Sequence, residues 1–410
     1  MGFFNKHLQQ LIEGTLAADK SDAVNMHVLV QDGITLMNYM NAVPPFAEIW
    51  LDRLYGNIFS SLAHYRIYDG ISGIHTYIAC KDDQVLAVLL YRVEGAEVRV
   101  LNEAACLSAS EIERFAQHMF KTHPAASVIS LHAVSLEGRS EKFPLQRFNC
   151  LEDIILRLPA SIEEYLGQLG KSTRSYLNRY QNKLKRDFPS MRQMTYFGDE
   201  IKEFHIREIL NMNRARMEEK GKLTPWTKKH EQCMFELARL CGMVNVIMID
   251  ERICAGTINF RVNDNYFLEV IAHAPEYNDY RLGTICCFAT ICQCIALGGK
   301  EYHFLWGQSE YKYRLGGVQQ DLEHVSIFRS RVHMLKSMPL VVGNLYHGYR
   351  RRMHVWSKEA RRRDSIVAKP IERLIFSIDT LKLFLKRCRL LLPNSGSTCS
   401  TDSVNPNSSA

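Results

Sequence analysis

The chain has 410 residues, 46% of them hydrophobic and 23% charged, with a formal net charge of +7. That length allows two domains with their own cores, and the composition excludes collagen-like, low-complexity and wholly disordered chains. The charge is local: Val341–Pro393 holds 13 Lys+Arg against 4 Asp+Glu, or +9, so the remainder sums to −2 and the basicity belongs to one segment rather than to the fold.

Residues 1–70 read as an N-terminal helical lead-in. Met1–Lys20 is amphipathic, without the long apolar run and cleavage signature of a signal peptide. From Ile71 the pattern turns to strands: GIHTYIAC, a Lys-Asp-Asp turn, QVLAVLLYRV, a Glu-Gly turn and EVRVLNE. Charged turns between β-branched runs indicate an antiparallel meander. Ser110–Lys121 has helical spacing (Ile112, Phe115, Ala116, Met119), with Ser108 or Ser110 as N-cap, and strands return at Ser127–Val134 and Ile154–Leu158.

Ser161–Asp187 reads as helical, with six basic residues and no acid from Lys171 to Arg186. Helices over Asp199–Gly221 and Thr227–Cys241 follow, then strands over Met243–Ile249, Ile253–Val262 and Tyr266–Ala272. A helix starting at Gly283 and strands over Glu301–Trp306 and His324–Ser330 complete the order. The unit strand–turn–strand–turn–strand–helix–strand thus occurs twice. The class is α/β (α+β), each unit a mixed, largely antiparallel sheet flanked by helices.

The stretch Tyr277–Tyr313 carries the most chemistry. A turn rich in Tyr, Asp and Gly opens the Gly283 helix, and Gly298-Gly299 closes it. Such a helix start offers unpaired backbone N–H groups to an anion, usually phosphate, with Arg281, Gly283 and the Thr284 hydroxyl beside them. The Gly-Gln-Ser-Glu-Tyr-Lys loop then returns a lysine and tyrosines toward the same sheet end. This is the layout of an acyl-coenzyme A site.

GKSTRSYLNRYQNKLKR, a strand–turn–strand with Ala255-Gly256, LEVIAHAPEYNDYRLGT and FLWGQSEYK together resemble the CelD-type acetyltransferases of the GNAT superfamily, relatives of the Fem peptidoglycan transferases. The resemblance is strongest over residues 161–317 and excludes the basic C-terminal segment. It implies tandem GNAT-like domains: a first half over 71–160 and an acetyltransferase domain over 161–332. Charge and apolar spacing make residues 333–393 a basic amphipathic helical extension, and the Ser/Asn/Thr-rich stretch 394–410, which lacks aromatics, reads as a disordered tail. The resemblance also implies acetyl-CoA or another acyl-CoA as co-substrate, and a polysaccharide, lipid-linked sugar or cell-envelope precursor as acceptor. The sequence departs from the GNAT pyrophosphate loop [RQ]xxGx[GA], since residues 278–284 retain one glycine.

In the GNAT arrangement that the resemblance implies, the splayed strands Tyr266–Ala272 and Glu301–Trp306 leave N–H groups for the thioester. The base is often a carboxylate on the neighbouring strands. Glu269 interrupts an apolar strand there, where burial raises a carboxyl pKa; the alternative is an outward residue or one paired with Arg261. Tyr280, Tyr311 and Tyr313 are candidate acids for the departing thiolate, or packing tyrosines. Lys312 is expected to reach a phosphate or the acceptor, or to be an ordinary exposed lysine. Arg174 and Arg179 on the basic helix, with His273 at a strand end, are candidates for an anionic acceptor. A solvated charge run and a surface histidine are the plainer readings.

Two rivals stand beside the acyl-coenzyme A reading. A Fem-like aminoacyl transfer would take its donor from tRNA, whose phosphates suit the basic regions; no other nucleic-acid motif is present. A non-catalytic envelope module in surface remodelling or antimicrobial-peptide resistance is the other. Metal chemistry is not expected: His230 and Cys233 stand alone, without HExxH or a paired Cys/His set. The 12 cysteines show no CxxC, which suits reduced thiols in a cytosolic setting. In the C-terminal segment, Arg350–Arg352, Arg361–Arg363 and IERLIFSIDTLKLFLKRCRLLL predict peripheral contact with an anionic inner-membrane surface, or packing on the body of the protein.

Overall fold

A computed structural model describes residues 26–362, except 32, 83, 139–141, 220 and 222–225. The remainder of the lead-in before Met26, the apolar–basic run after Arg362 and the tail lie outside the described residues.

The first repeat is longer than the sequence suggests. Strands β1 (Met26–Gln31) and β2 (Ile34–Tyr39) precede helices α1 (Ala47–Tyr55) and α2 (Leu62–Tyr68). The expected helical lead-in therefore gives way at Met26: apolar residues of β2 such as Leu36, Met37 and Tyr39 are buried from both sheet faces, a pattern that does not alternate. The meander is β3 (His75–Lys81), β4 (Gln84–Glu94) and β5 (Glu97–Val100), followed by β6 (Cys106–Ser108), α3 (Ala109–Thr122), β7 (Val128–Glu137) and β8 (Leu145–Arg157).

The second repeat begins with helices α4 (Ile162–Gln168) and α5 (Lys171–Asp187), then β9 (Arg192–Phe197), α6 (Glu203–Glu219) and α7 (Lys228–Cys241). Its meander is β10 (Gly242–Ile249), β11 (Arg252–Val262) and β12 (Asn265–His273). Then come α8 (Leu282–Ala296), β13 (Glu301–His303), the short α9 (Glu310–Arg314) and β14 (Val318–Phe328). Helices α10 (Arg331–Lys336) and α11 (Met338–Arg362) follow.

All strands share one sheet system in the order β1-β2-β3-β4-β5-β7-β14-β8-β13-β12-β11-β10-β9, with β6 beside β7. Each half runs as an antiparallel meander ending in a parallel pair, β5 with β7 and β12 with β13. At the centre the halves exchange strands. β8, which follows β7 in the chain, pairs with β13 of the second half; β14, which follows β13, pairs with β7 of the first. Helices cover both faces, α1–α2 and α3 in the first half, α6–α7 and α5 with α8 in the second, so four apolar clusters bury the sheet. No described helix is long and apolar enough to cross a membrane.

Candidate active site

The second half opens a cleft that its hydrogen-bond register creates. β12 pairs with β13 only through Asn265, Tyr266 and Phe267; beyond the Phe267–His303 pair the strands part. Phe304 donates its N–H to Ile154 of β8 instead, and Leu305 takes a left-handed backbone (φ 55°). From Leu268 onward the β13-facing edge of β12 has no strand partner on that side.

Glu269 lies at this opening. Leu268 pairs with Asn259 and Val270 with Ile258, so Glu269 is the extra residue of a β-bulge. A bulge frees backbone groups from the ladder and re-aims a side chain. Burial raises the Glu269 carboxyl to about 7, so it can exchange a proton near neutral pH. Its charge contributes, after burial, to raising the Tyr68 phenol on α2, which places the two groups near each other. Arg261, the alternative partner, turns instead to the Asn263 carbonyl and to Asp264.

The wall facing Glu269 therefore comes partly from the first half. Rings run from Trp306 to Phe59 (5.1 Å), His64 (5.6 Å) and Tyr68 (4.7 Å). The two halves are locked there: Asn263 Nδ2 donates to the Asp52 carbonyl and Asn265 Nδ2 to the Gly56 carbonyl. Half-buried His64 is held down to about 4 by desolvation, so the aromatic wall is uncharged at neutral pH.

Lys312 does not reach out to a phosphate. It is 4% exposed, and its ammonium donates to the carbonyls of Leu305 (3.1 Å) and Trp306. Burial lowers it to about 8, against the pull of Asp153. Asp153 in turn accepts from His303 Nδ1 at 2.7 Å. Burial would lower His303, but Asp153 and Glu301 override it and raise the imidazole to about 9. This pair and Lys312 form a buried charge network at the cleft's apex, where they hold the left-handed turn. The burial follows from α9, a helix where a loop is expected, which folds Lys312 inward. Tyr311 packs edge-on to Phe304 at 6.2 Å, its phenol kept protonated by burial.

Arg281, Gly283 and Thr284 stand at the start of α8. Arg281 is the N-cap in left-handed backbone (φ 54°), with no side-chain cap. Thr284 and Ile285 N–H groups return to the Arg281 carbonyl, while the first-turn amides of Leu282 and Gly283 have no intrahelical acceptor. Gly283 leaves room for His273, since a Cβ there would come within 2.8 Å of its Nδ1. His273 thus packs on the helix start, its Nε2 2.9 Å from Asn278 Oδ1, beside the donor candidates.

Helix α5 lies across this end. Tyr180 is held below its usual range, chiefly by a hydrogen bond from Arg281, and Lys183 sits 4.2 Å over the Tyr280 ring. Ser172, Thr173, Ser175, Tyr176, Arg179 and Arg314 line an open cavity of about 370 Å³. Arg179 faces this cavity; Arg174 instead donates to the Leu166 carbonyl at 3.2 Å. Six of the nine candidates, Glu269, Tyr311, Lys312, Arg281, Gly283 and Thr284, border the β12–β13 opening or the α8 start. His273 joins the α8 start, Arg179 the neighbouring cavity, and Arg174 fastens α5 to α4. Sequence reasoning missed Asp153, His303 and the aromatic wall. The only local signal for Asp153 and His303 was a charged residue inside an apolar run.

Residues 171–313 match the family model described as an acetyltransferase (GNAT) domain. No curated protein sequence matches the chain. Among solved structures, FemX aligns with 70% of this chain and 98% of its own at 10% identity and a TM-score of 0.51. L-PGS from Bacillus licheniformis aligns with 75% and 97% at 11% identity, TM-score 0.46. The C-terminal domain of a lysylphosphatidylglycerol synthetase described as putative, from Agrobacterium fabrum, aligns with 71% and 93% at 9% identity, TM-score 0.43. The chain carries a GNAT domain within a tandem-like architecture. At these identities the likeness to FemX is one of fold.

Proposed function

We propose that the chain is an acyltransferase that moves an acetyl or other acyl group from acyl-coenzyme A to an amine or hydroxyl of a polysaccharide, lipid-linked sugar or cell-envelope precursor. The observation that carries the reading is Glu269, a half-buried bulge residue whose carboxyl is raised by desolvation, at the opening where β12 and β13 part. GNAT domains generally use acyl-coenzyme A, and the CelD-type resemblance supplies the acceptor class.

In this reading the donor's phosphates meet the α8 start and Arg281, and its acyl end enters the cleft. The acceptor approaches from the Tyr68–Trp306 wall. Glu269 takes the acceptor's proton as its nitrogen or oxygen bonds to the acyl carbon. The carbon–sulfur bond breaks, and the departing thiolate takes a proton from the Tyr311 phenol. Freed amides near the bulge stabilise the oxyanion between these steps. Lys312 keeps the Leu305–Trp306 turn in place, a positioning role.

A Fem-like aminoacyl donor is the second reading, favoured by the cationic cavity between α5 and α9, where Arg179 and Arg314 converge. The test is coenzyme A release from acetyl-coenzyme A, measured with a panel of amino sugars and saccharides. Release that depends on an acceptor and falls about 10²–10³-fold in Glu269→Gln supports the assignment. Turnover intact in that variant refutes it, and binding of aminoacyl-tRNA without acetyl-coenzyme A moves the assignment to the second reading.

A further inference from the structure

Helix α11 is amphipathic in the opposite sense to a core-packed helix. The face it lays on the sheet is mostly small or polar. Asn344 Nδ2 donates to Gln146 Oε1 and to Ser326 Oγ, both at 3.0 Å. Gly348 lies against Phe148, where a Cβ would come within 2.9 Å. Arg351 is ion-paired with the buried Glu152 and is lowered by burial. The opposite face carries Met338, Val342, Leu345, Tyr349 and Trp356, spaced by four, three, four and seven residues, hence one stripe along the helix. Leu335 of α10 extends it. Leu335 is 67% exposed, Leu345 62% and Tyr349 65%, so the stripe faces outward. An apolar row of this length is uncommon on a surface without a partner.

The charge around the stripe selects the partner. From Arg329 to Lys358 there is no Asp or Glu, and Arg331, Lys336, Arg350 and Arg352 are exposed near the stripe. A second copy would bring the same cations. The run Ile371–Leu392, with five Lys+Arg against two acids, would also bring positive charge. An anionic surface with an apolar interior satisfies both features. We propose that α10 and α11 dock the protein on an anionic lipid bilayer, apolar stripe in the interface and arginines at the headgroups. The Arg351–Glu152 pair fastens this helix to the central strand β8. The inference is independent of the reaction at Glu269.

The test uses the full chain and sedimentation with phosphatidylglycerol–phosphatidylcholine vesicles against vesicles of phosphatidylcholine alone. The expected result is binding to the anionic vesicles only. That binding falls about tenfold or more in Leu345→Asp/Tyr349→Asp and in Arg350→Glu/Arg352→Glu, and is unchanged in Glu269→Gln. Brominated lipid should quench tryptophan emission in the wild type but not in Trp356→Phe, a readout that misfolding cannot imitate. Equal binding to both vesicle types overturns the proposal. So does wild-type binding by the Leu345/Tyr349 variant, which would assign the contact to residues beyond Arg362. A lipid-free dimer broken by that variant would assign the stripe to a second copy.

Discussion

Counted from their hairpin turns, the two halves put different residues at the same point. Glu97 of β5 corresponds to Asn265 of β12, which makes Leu101 the counterpart of Glu269 and Ser130 the counterpart of His303. The parallel pairing runs one residue pair further in the first half, to Val100–Leu131, and only the second half leaves the gap open. In the first, Ala104 N–H donates to the Ala133 carbonyl, Ser135 N–H to the Ala105 carbonyl, and β6 then pairs with β7. The helix starts differ likewise. Ser108 Oγ accepts from the Glu111 N–H at the start of α3, whereas α8 begins at an uncapped left-handed Arg281. One repeat satisfies its own backbone groups. The other leaves them unpaired within the ladder, and the α1–α2 region of the first half borders the opening through Phe59, His64 and Tyr68.

The largest contrast should appear in turnover. Glu269→Gln is expected to lower kcat by about 10²–10³-fold, while Leu101→Gln leaves it within a factor of about two, by coenzyme A release. Equal losses would erase the functional asymmetry. The acid limb of kcat/KM should fall near pH 7 and vanish in Glu269→Gln. Because the folded carboxyl titrates above its ordinary value, ionising it costs stability as pH rises from that value through about 7. Glu269→Gln should therefore raise Tm at pH 8 and not at pH 4.

Stability should show the next largest difference. Asp153→Ala strands a buried imidazolium at the apex and should cost about 3–5 kcal/mol in urea unfolding. Ser130→Ala, which removes only the Ser130–Glu97 hydrogen bond, should cost about 1 kcal/mol. His303 is raised when folded, so its contribution is complete below pH 6.5 and is lost as pH climbs through about 9. Asp153→Asn should flatten that decline; an unchanged pH profile would remove His303 from the account.

The helix starts give the smallest effects. Ser108→Ala should cost about 1 kcal/mol through the lost cap. Arg281→Gly should gain about 0.5–1 kcal/mol by relieving the left-handed backbone, yet weaken acetyl-coenzyme A binding in calorimetric titration. A variant that loses stability and keeps binding would make Arg281 structural.

Much of this fold is local enough to read in sequence. Charged turns between β-branched runs marked β3–β5 and β10–β12, and Glu269 stood out as one acid in an apolar strand. What escaped the sequence depends on long-range pairing. The β8–β14 exchange joins residues more than 150 positions apart. The bulge at Glu269 exists only as a register shift against β11, and β6 is three residues whose partner is β7. Lys312 looked exposed because its burial needs the left-handed turn at Leu305. The apolar positions of α11 had the spacing of a core helix; only the packed polar face revealed that they point outward.

The most direct test is amide hydrogen exchange of the full chain with and without acetyl-coenzyme A. The account predicts added protection over residues 268–284 and 304–312, with none over 101–109 or 131–137. Protection in the first-half segments, or in neither half, would contradict the claim that the second cleft alone receives the donor.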